Sequence, residues 1–282
     1  MIRIGTRGSA LARAQAMTVA RALGDAELVV ISTAGDQSAR PIRELGDGVF
    51  VTAIEDALRA GEIDVAVHSL KDLPTTGPDD LVIAAIPSRE DPRDLCITRD
   101  RLGASALRAR QRVGTSSPRR AAFITALVPG VVCEEIRGNV DTRLAKVARG
   151  EYDATVLAAA GLRRLAIVFD EWEALPLATM PPAPGQGALA VQTRADDPVR
   201  RRVAALDDPA LRAAVTAERE VLRLLGASCD IALGCYATVA GGVVRLDAAL
   251  AEGDVRRAHA EGTDPLKVAA SAARALGEPA RV

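Results

Sequence analysis

Short β-branched runs alternate with segments of helical periodicity through the first two thirds of the chain. The apolar runs predict strands at residues 2–4, 28–32, 64–68, 81–86, 112–114, 131–136, 154–157 and 187–194. Helices are predicted between them at residues 9–23, 50–60, 118–127, 142–149 and 161–165, with Ser9 and Pro118 as start signals. This alternation is typical of an α/β protein with largely parallel sheets.

Two polar, proline-containing stretches interrupt the alternation, at residues 89–93 (REDPR) and 180–187 (MPPAPGQG). Such stretches favour chain crossings between lobes, and the strand after the second one is free to return to the first sheet. We therefore expect two hinged lobes with a ligand between them, domain 1 at 1–88 and 188–204 and domain 2 at 93–181.

The pattern changes after residue 208. A long helix is predicted at 209–225, followed by a loop, by strands near 237–239 and 243–250, and by a helix at 265–276. This order of elements predicts a small α+β domain 3 over residues 209–282.

Composition excludes several classes of function. The chain has 282 residues with 36 basic and 37 acidic side chains, so bulk charge does not hold it to nucleic acid or to an anionic membrane. No apolar stretch reaches the ~18–20 residues of a spanning helix. Four arginines interrupt the first apolar stretch, which argues against a signal peptide. We expect a cytoplasmic monomer that binds neither nucleic acid nor membrane.

The four cysteines form neither a disulfide framework nor a CxxC pair, and with only two histidines beside them no metal site is expected. Cys229 differs from the others because it lies in a glycine-containing loop (GASCD), where an unpaired thiol is a candidate for covalent attachment. A small buried hydrophobe is the ordinary role of a free cysteine, and this role fits Cys96, Cys133 and Cys235.

Polar loops follow the predicted strands of domain 1, at the sheet edge where open α/β proteins bind ligands. The GTRGS loop combines flexible glycines with Arg7, Ser9 and the free N–H groups of the next helix. The SLKD segment places Ser69, Lys71 and Asp72 just past a buried strand. Each loop alone has a plainer interpretation, a tight turn for the first and an exposed ion pair for the second. The spacing of a serine–lysine hydrolase is absent.

Three loops of domain 2 place hydroxyls and arginines at helix starts, where backbone donors also favour an anion. They are GTSSPRR with Ser117, Arg119 and Arg120, IRGNVDTR with Arg137 and Arg143, and GLRR with Arg164. An arginine fork suits phosphate and carboxylate alike, although the Walker sequence of a P-loop is missing. Several basic loops aimed at one cleft predict a ligand with several negative charges.

Taken in order, these segments resemble the porphobilinogen deaminase (hydroxymethylbilane synthase) family over essentially the whole chain. The matching segments are RIGTRGSALA (3–12), AVHSLKDLP (66–74), EDPRD (90–94), GTSSPRRA (114–121), IRGNVDTRL (136–144), AGLRRL (160–165), PAPGQGALAV (182–191) and GASCDIALGCYA (226–237). The combination of SLKDLP, GTSSPRR and RGNVDTRL is highly specific, and we do not expect it in another fold.

The resemblance implies a fold and an activity. The implied fold class is α/β, with two hinged lobes like those of periplasmic binding proteins plus a small α+β C-terminal domain. Members of the family are transferases that condense four porphobilinogen molecules head to tail into the linear tetrapyrrole hydroxymethylbilane, releasing ammonia, in tetrapyrrole (haem) biosynthesis. They use a dipyrromethane cofactor, built from two substrate units and joined by a thioether to a cysteine, which by position is Cys229.

The resemblance also implies roles for the loop residues. Asp72 matches the catalytic carboxylate that handles the pyrrole nitrogens and the deamination step. Cofactor binding is implied, besides Cys229, for Ser69, Lys71, Ser117, Arg119, Arg120 and Arg143, and substrate binding for Arg7, Ser9, Arg137 and Arg164. The residue chemistry agrees, because each pyrrole brings two carboxylates that arginines bind. A fixed carboxylate also stabilises the cationic azafulvene that remains after ammonia is lost.

Two alternatives stay open at this stage: a two-lobe anion-binding protein without catalysis, and a phosphate-binding transferase. A covalent pyrrole on Cys229 separates the enzyme from the binding protein, which has no use for it. The chain departs from the family pattern at Asp47 and Thr52, where lysines are usual, and at Ala232, where a proline is usual. These departures leave the catalytic carboxylate, the cofactor cysteine and the arginines in place.

Overall fold

The computed structural model describes residues 1–33, 51–168, 172–226 and 231–277. The chain divides into two compact units, Met1–Arg89 with Gly187–Ala213, and Glu90–Gln186 with Ala214–Val282. The chain therefore passes from one unit to the other within the two proline-containing stretches in which crossings were expected. A further boundary falls inside a helix, between Ala213 and Ala214. The finer boundaries of three separate domains stay a prediction.

The strands are β1 Ile2–Thr6, β2 Ala26–Val30, β3 Val65–Ser69, β4 Leu81–Ala85, β5 Asp94–Thr98, β6 Arg112–Gly114, β7 Val132–Glu134, β8 Ala154–Ala158, β9 Glu173–Ala174, β10 Leu189–Arg194, β11 Leu233–Ala240, β12 Val243–Glu252 and β13 Asp254–Gly262. The helices are α1 Ala10–Leu23, α2 Thr52–Arg59, α3 Pro118–Leu127, α4 Val140–Ala148, α5 Ala159–Arg164, α6 Val199–Ala204, α7 Pro209–Leu224 and α8 Pro265–Leu276, with 3-10 turns at Leu70–Asp72 and Ala104–Ala106.

The first unit is built on a sheet with the strand order β2-β1-β3-β10-β4. Strands β1, β2 and β3 are parallel, and β10 is antiparallel to both β3 and β4. The predicted return of the strand after the second crossing to the first sheet is thus confirmed. Apolar side chains of β1, β3 and β10 pack against α1, and α2 packs on the other side with Ile54 and Leu58 buried.

Helix α1 begins and ends as its sequence predicts. The Ser9 hydroxyl accepts a hydrogen bond from the Ala12 N–H at 3.2 Å, which is the usual N-cap contact. Gly24 follows the last turn at φ +83°, a conformation that glycine adopts without strain. The helix start therefore lies directly after β1, at the edge of the sheet where the polar loop was expected to bind a ligand.

The second unit contains a sheet with the order β7-β6-β8-β5-β9, in which β5 is antiparallel to its neighbours. The expectation of largely parallel sheets is therefore only partly correct, since β10 and β5 each introduce antiparallel pairs. Both strands follow a crossing within a few residues. Each of the two strands enters its sheet from the other unit and not through a βαβ crossover within its own unit, so no such connection imposes a parallel direction on it.

The rest of the second unit is an antiparallel three-stranded sheet, β11-β12-β13, packed against α7 and α8. Ala249 of β12 also joins the core that contains Phe123 of α3. Strand β13 was not predicted, because four of the nine residues of the segment DVRRAHAEG are charged. Among its residues, only the alanines at 258 and 260 are buried, so its strand pattern is carried by two small side chains.

Candidate active site

The loop after β1 carries two of the predicted substrate contacts. Arg7 is half-buried, and the Ser9 hydroxyl is engaged in capping α1. Thr6, the last residue of β1, is fully buried, yet its Oγ1 has no hydrogen-bond partner within the described part of the chain. A buried hydroxyl without a partner is costly and rare, and this one lies at the expected ligand-binding edge of the sheet.

The predicted catalytic aspartate lies on a 3-10 turn that immediately follows β3. Leu70 anchors the turn, since its side chain is fully buried and its N–H donates to the Ala188 carbonyl at 3.0 Å. The turn closes with a hydrogen bond from Leu73 N–H to the Leu70 carbonyl. Between these buried leucines, Lys71 is half-buried and Asp72 is exposed. The turn thus holds the backbone of a carboxylate that remains accessible.

Two glutamines that the sequence analysis did not single out bind the same strand. Gln15 of α1 donates from Nε2 to the Ser69 hydroxyl at 2.8 Å. Gln192 of β10 bonds His68 at 3.1 Å through its Oε1 and donates from Nε2 to Glu55 at 3.0 Å. Because a carboxylate only accepts, this arrangement makes His68 Nε2 the donor. Burial lowers the pKa of His68 to about 4, so the ring is neutral near pH 7.

In the second unit, the loops after β6 and β7 are tied together. The Ser116 hydroxyl donates to the Ile136 carbonyl at 2.7 Å, and the Thr115 N–H donates to the Glu134 carbonyl at 2.8 Å. Ser117 caps α3 by accepting from the Arg120 N–H at 3.4 Å. Strands β6, β7 and β8 are parallel, so the loops after them lie at one edge of the sheet.

Arg119 and Arg120 both bind the carboxylate of Asp94, the first residue of β5. Arg119 Nη2 lies 2.6 Å from Asp94 Oδ2, while Arg120 Nη2 lies 2.7 Å from Oδ1. The arginine side chains are only 5% and 10% exposed and the aspartate is fully buried. Burial lowers the pKa of Arg119, an effect that the Asp94 charge opposes. One carboxylate between two guanidinium groups leaves this buried cluster with an excess positive charge.

Arg119 and Arg120 were predicted to bind a ligand, but the structure shows that they also make internal contacts. Most of their donors already have partners inside the protein, including the Pro181 carbonyl, which accepts from Arg119 Nη1 at 2.7 Å. The Nε of Arg119 is different, because it is buried and has no hydrogen-bond partner among the described residues.

Arg143 lies near Arg120 and adds to the positive charge. Its Nε donates to the Gly138 carbonyl at 2.8 Å. Burial, and then the charges of Arg120 and Arg137, lower the pKa of Arg143 to about 10. Arg137 itself pairs with Glu135 at 2.8 Å. Arg120 and Arg137 are thus each close enough to repel Arg143, which favours an anionic ligand.

Arg164 lies at the end of α5. Burial lowers its pKa, and the charge of Glu90 partly offsets this effect.

The cofactor cysteine predicted from the sequence, Cys229, lies outside the described residues, as does Asp47. Cys235 is fully buried in β11, as expected, and Cys96 is buried with its pKa raised to about 12 by burial. Cys133 is only half-buried, because it lies on the edge strand β7. The expected burial of Cys133 is therefore only partly correct.

Three further polar residues of the second unit are buried and were not predicted. Glu218 of α7 accepts hydrogen bonds from the N–H groups of Gly185 and Ala237, each at 2.7 Å. Gln186 bonds Asp94, and Asp94 binds the arginine pair. The sequence gives little signal for them, because Asp94 follows other charged residues and Glu218 lies in the charged run ERE (218–220). No sequence pattern shows which partners Glu218, Gln186 and Asp94 bind.

Within the described ranges, no helix is long and apolar enough to cross a membrane. The same part of the chain holds no group of three or more histidine, cysteine or acidic side chains placed to bind a metal ion.

Comparison with known families gives two matches that together span most of the chain. Residues 2–202 match the family model described as "Porphobilinogen deaminase, dipyromethane cofactor binding domain". Residues 212–280 match "Porphobilinogen deaminase, C-terminal domain".

Curated relatives carry the same name. The chain is 53% identical over 244 residues to "Porphobilinogen deaminase" of Mycobacterium tuberculosis (strain ATCC 25618 / H37Rv), covering 85% of this chain and 79% of the relative. It is 52% identical, again over 244 residues, to the protein of that name from Mycobacterium leprae (strain TN), covering 85% of this chain and 78% of the relative.

Solved structures to which the chain shows some similarity include the second substrate-binding domain of a putative amino acid ABC transporter from Streptococcus pneumoniae. It is 12% identical with a TM-score of 0.44, covering 73% of this chain and 90% of that one. YhfZ from Shigella flexneri is 20% identical with a TM-score of 0.38, covering 79% of this chain and 89% of that one.

Proposed function

The chain belongs to the porphobilinogen deaminase family, and from that premise we propose which of its residues carry the reaction. It is a transferase of tetrapyrrole biosynthesis that condenses porphobilinogen into hydroxymethylbilane. The alternative of an anion-binding protein without catalysis is not favoured, because the family match spans both the cofactor-binding and the C-terminal regions. What remains to be assigned is the role of each side chain.

The arginines of the second unit bind the carboxylates of the pyrrole chain. The observation that carries this proposal is the excess of positive charge around Arg119, Arg120 and Arg143. Among the described residues, Asp94 is the one carboxylate bound to Arg119 and Arg120. A buried positive charge without a counter-ion is unfavourable, so an acidic ligand stabilises the cluster when it binds. Porphobilinogen and its oligomers are acids of that kind.

A dipyrromethane cofactor fits this region on the same grounds. The buried and unsatisfied Nε of Arg119 is a donor that a cofactor carboxylate would satisfy, and Arg143 and Ser117 lie on the neighbouring helix starts. The first family match names this cofactor. When bound, the dipyrromethane supplies the pyrrole end to which the substrate units are added. We assign its attachment to the thiol of Cys229 through a thioether.

Asp72 stabilises the positive charge that develops on the substrate during deamination. Loss of ammonia from porphobilinogen leaves a cationic azafulvene, and an aspartate carboxylate beside the pyrrole nitrogen stabilises that cation and holds its proton. The exposed side chain is accessible to substrate, while Leu70 and Leu73 fix the backbone on which it lies. Ser69 and Lys71 on the same turn, and Arg7, Ser9, Arg137 and Arg164 elsewhere, are assigned to binding. We further propose that the enzyme works as a monomer in the cytoplasm.

The proposed reaction is tested by its stoichiometry. Purified protein is incubated with porphobilinogen, and hydroxymethylbilane and ammonia are quantified in parallel. The expected result is one hydroxymethylbilane and four ammonia for every four porphobilinogen consumed, with one water taken up. Binding of porphobilinogen without release of ammonia would contradict the assignment and favour a binding protein.

A further inference from the structure

The buried side chain of Gln186 donates a hydrogen bond to Asp94, the carboxylate that binds Arg119 and Arg120. Gln186 lies at the end of the second proline-containing stretch and is fully buried. Its Nε2 lies 3.0 Å from Oδ1 of Asp94 and 2.7 Å from the Pro92 carbonyl oxygen. The same Oδ1 accepts from Nε and Nη2 of Arg120. The Asp94 carboxylate is thus bound by donors from three side chains at once.

The chemistry of the contacts settles the orientation of the Gln186 amide. Both partners are acceptors, a carboxylate and a carbonyl, so the NH2 end of the amide must face them. A primary amide has two N–H donors and no charge, which matches two acceptors without altering the net charge of the cluster. Glutamate in its place would add a negative charge that competes for the guanidinium groups, and methionine would supply no donor.

The proline-containing stretch that ends near Gln186 also contacts Arg119 through its first residues. The Pro181 carbonyl accepts from Nη1 of Arg119, and a turn with Gln186 N–H bonded to the Ala183 carbonyl at 2.8 Å connects the two contacts. Residues 181–186 therefore contact Arg119 through Pro181 and Asp94 through Gln186. The position of both guanidinium groups depends on this segment as well as on Asp94.

We propose that Gln186 is a positioning residue for the transferase reaction. It holds the Asp94 carboxylate, which in turn fixes Arg119 and Arg120 in one arrangement before the carboxylates of the pyrrole chain bind. A preorganised guanidinium loses less conformational freedom on binding, so affinity rises without a contact between Gln186 and the ligand. This inference rests on the proposed roles of Arg119 and Arg120 as ligand-binding residues.

The test uses two substitutions of Gln186 and one matched control. Gln186→Met removes both donors at similar volume, and Gln186→Glu keeps the shape but adds a charge. The control is Gln192→Met, because Gln192 is also buried and also donates to a carboxylate, that of Glu55, in the other unit. For each full-length protein we measure the thermal midpoint, kcat and KM for porphobilinogen, and the hydrogen exchange of the arginine Nε–H groups by NMR without substrate.

Gln186→Met is expected to speed exchange at Arg120 Nε–H at least about tenfold and to lower kcat/KM about tenfold, mainly through KM. Gln186→Glu is expected to lower kcat/KM further, because the new carboxylate competes with the ligand. Gln192→Met is expected to lower the thermal midpoint while leaving Arg120 exchange and KM within about twofold of wild type.

Unchanged exchange and unchanged kcat/KM in Gln186→Met, with only a lower thermal midpoint, would overturn the proposal. So would losses of kcat/KM of equal size in Gln186→Met and Gln192→Met, which indicate a general effect of stability. If Gln186→Met does not fold, a kcat/KM of Gln186→Glu within about twofold of wild type overturns it. Absence of product from the wild-type protein would instead contradict the proposed function, whereas the exchange measurement needs no substrate.

Discussion

Asp94 Oδ2 lies 2.6 Å from Nη2 of Arg119, and neither side chain is appreciably exposed to solvent. Asp94 is the first residue of β5, the strand that follows the first crossing, and Arg119 lies in the first turn of α3, which begins within the GTSSPRR segment. Their pairing shows that the arginine-rich loop is not a free cationic surface. It is a partly neutralised cluster, in which one internal carboxylate orients two arginines and leaves a net positive charge for a ligand.

Removing the Asp94 charge is expected to destabilise the protein. Asp94→Asn leaves two buried guanidinium groups without a counter-ion, and breaking a buried pair in this way typically costs about 3–5 kcal/mol. Asp80→Asn is the control, because Asp80 pairs with Arg59 on the surface, where ion pairs contribute little to stability. Urea unfolding measures the free energy of unfolding of both variants and of wild type. Equal losses at the two positions would show that the buried pair contributes no more to stability than the surface pair.

Asp72→Asn is expected to reduce turnover without affecting the fold. The substitution keeps the size of the side chain but removes the charge that stabilises a developing cation, a loss that typically costs on the order of 10²–10³ in kcat. Because Asp72 is exposed, the thermal midpoint should stay near that of wild type. Asp79→Asn, another exposed aspartate a few residues away, is the control. A well-folded Asp72→Asn enzyme with near-normal kcat would remove Asp72 from the mechanism.

Arg143→Leu is expected to weaken binding of the acidic ligand. A charge-assisted contact to a carboxylate is worth about 1.5–3 kcal/mol, which corresponds to roughly a 10- to 100-fold loss in kcat/KM. The fold should tolerate the change, since it also removes repulsion from Arg120 and Arg137. Arg200→Leu on the exposed face of α6 is the control. Similar kinetic losses in both variants would indicate that the measurement reports stability rather than ligand binding.

The buried His68 is expected to make the protein less stable in acid. Its pKa is about 4 in the folded chain and 6.5 when unperturbed, because burial disfavours the charged ring. Above pH 6.5 the ring is neutral in both states and has no effect. As pH falls from 6.5 to about 4, the unfolded chain binds the proton first, so the free energy of unfolding decreases, by about 3 kcal/mol at most.

The measurement is urea unfolding at a series of pH values for wild type, His68→Gln and His259→Gln. His68→Gln should remove this part of the pH dependence. His259→Gln is the control, because His259 is exposed and pairs with an exposed aspartate. An identical pH dependence in wild type and His68→Gln would mean that other groups cause the acid sensitivity.

Local signals in the sequence predict the elements well where a cap defines the boundary. Helices α3 and α8 span the predicted residues, because a proline at the first position and a capping side chain specify the start of each. The strand β2 is displaced by two residues from its predicted position, since a short β-branched run carries no comparable boundary signal. Strand β13 was missed because its charged sequence gives little apolar alternation.

The site is predicted as a set of residues but not as a set of contacts. The basic loops are visible in the sequence, whereas the pairing of Arg119 with Asp94 joins residues 25 positions apart and depends on how β5 enters the sheet. The roles of Gln186 and Glu218 likewise come from long-range hydrogen bonds of buried polar groups. Such contacts are set by tertiary packing, which local sequence patterns do not encode.

The attachment of dipyrromethane to Cys229 is the central proposal, and intact-protein mass spectrometry tests it most directly. Wild-type protein supplied with porphobilinogen should carry the added mass of two deaminated substrate units. Cys229→Ser should lack this mass and be inactive. Cys235→Ser should keep both the adduct and the activity, because Cys235 is fully buried in β11. An adduct that maps to Cys235, or folded wild-type protein that never acquires one, would contradict the account.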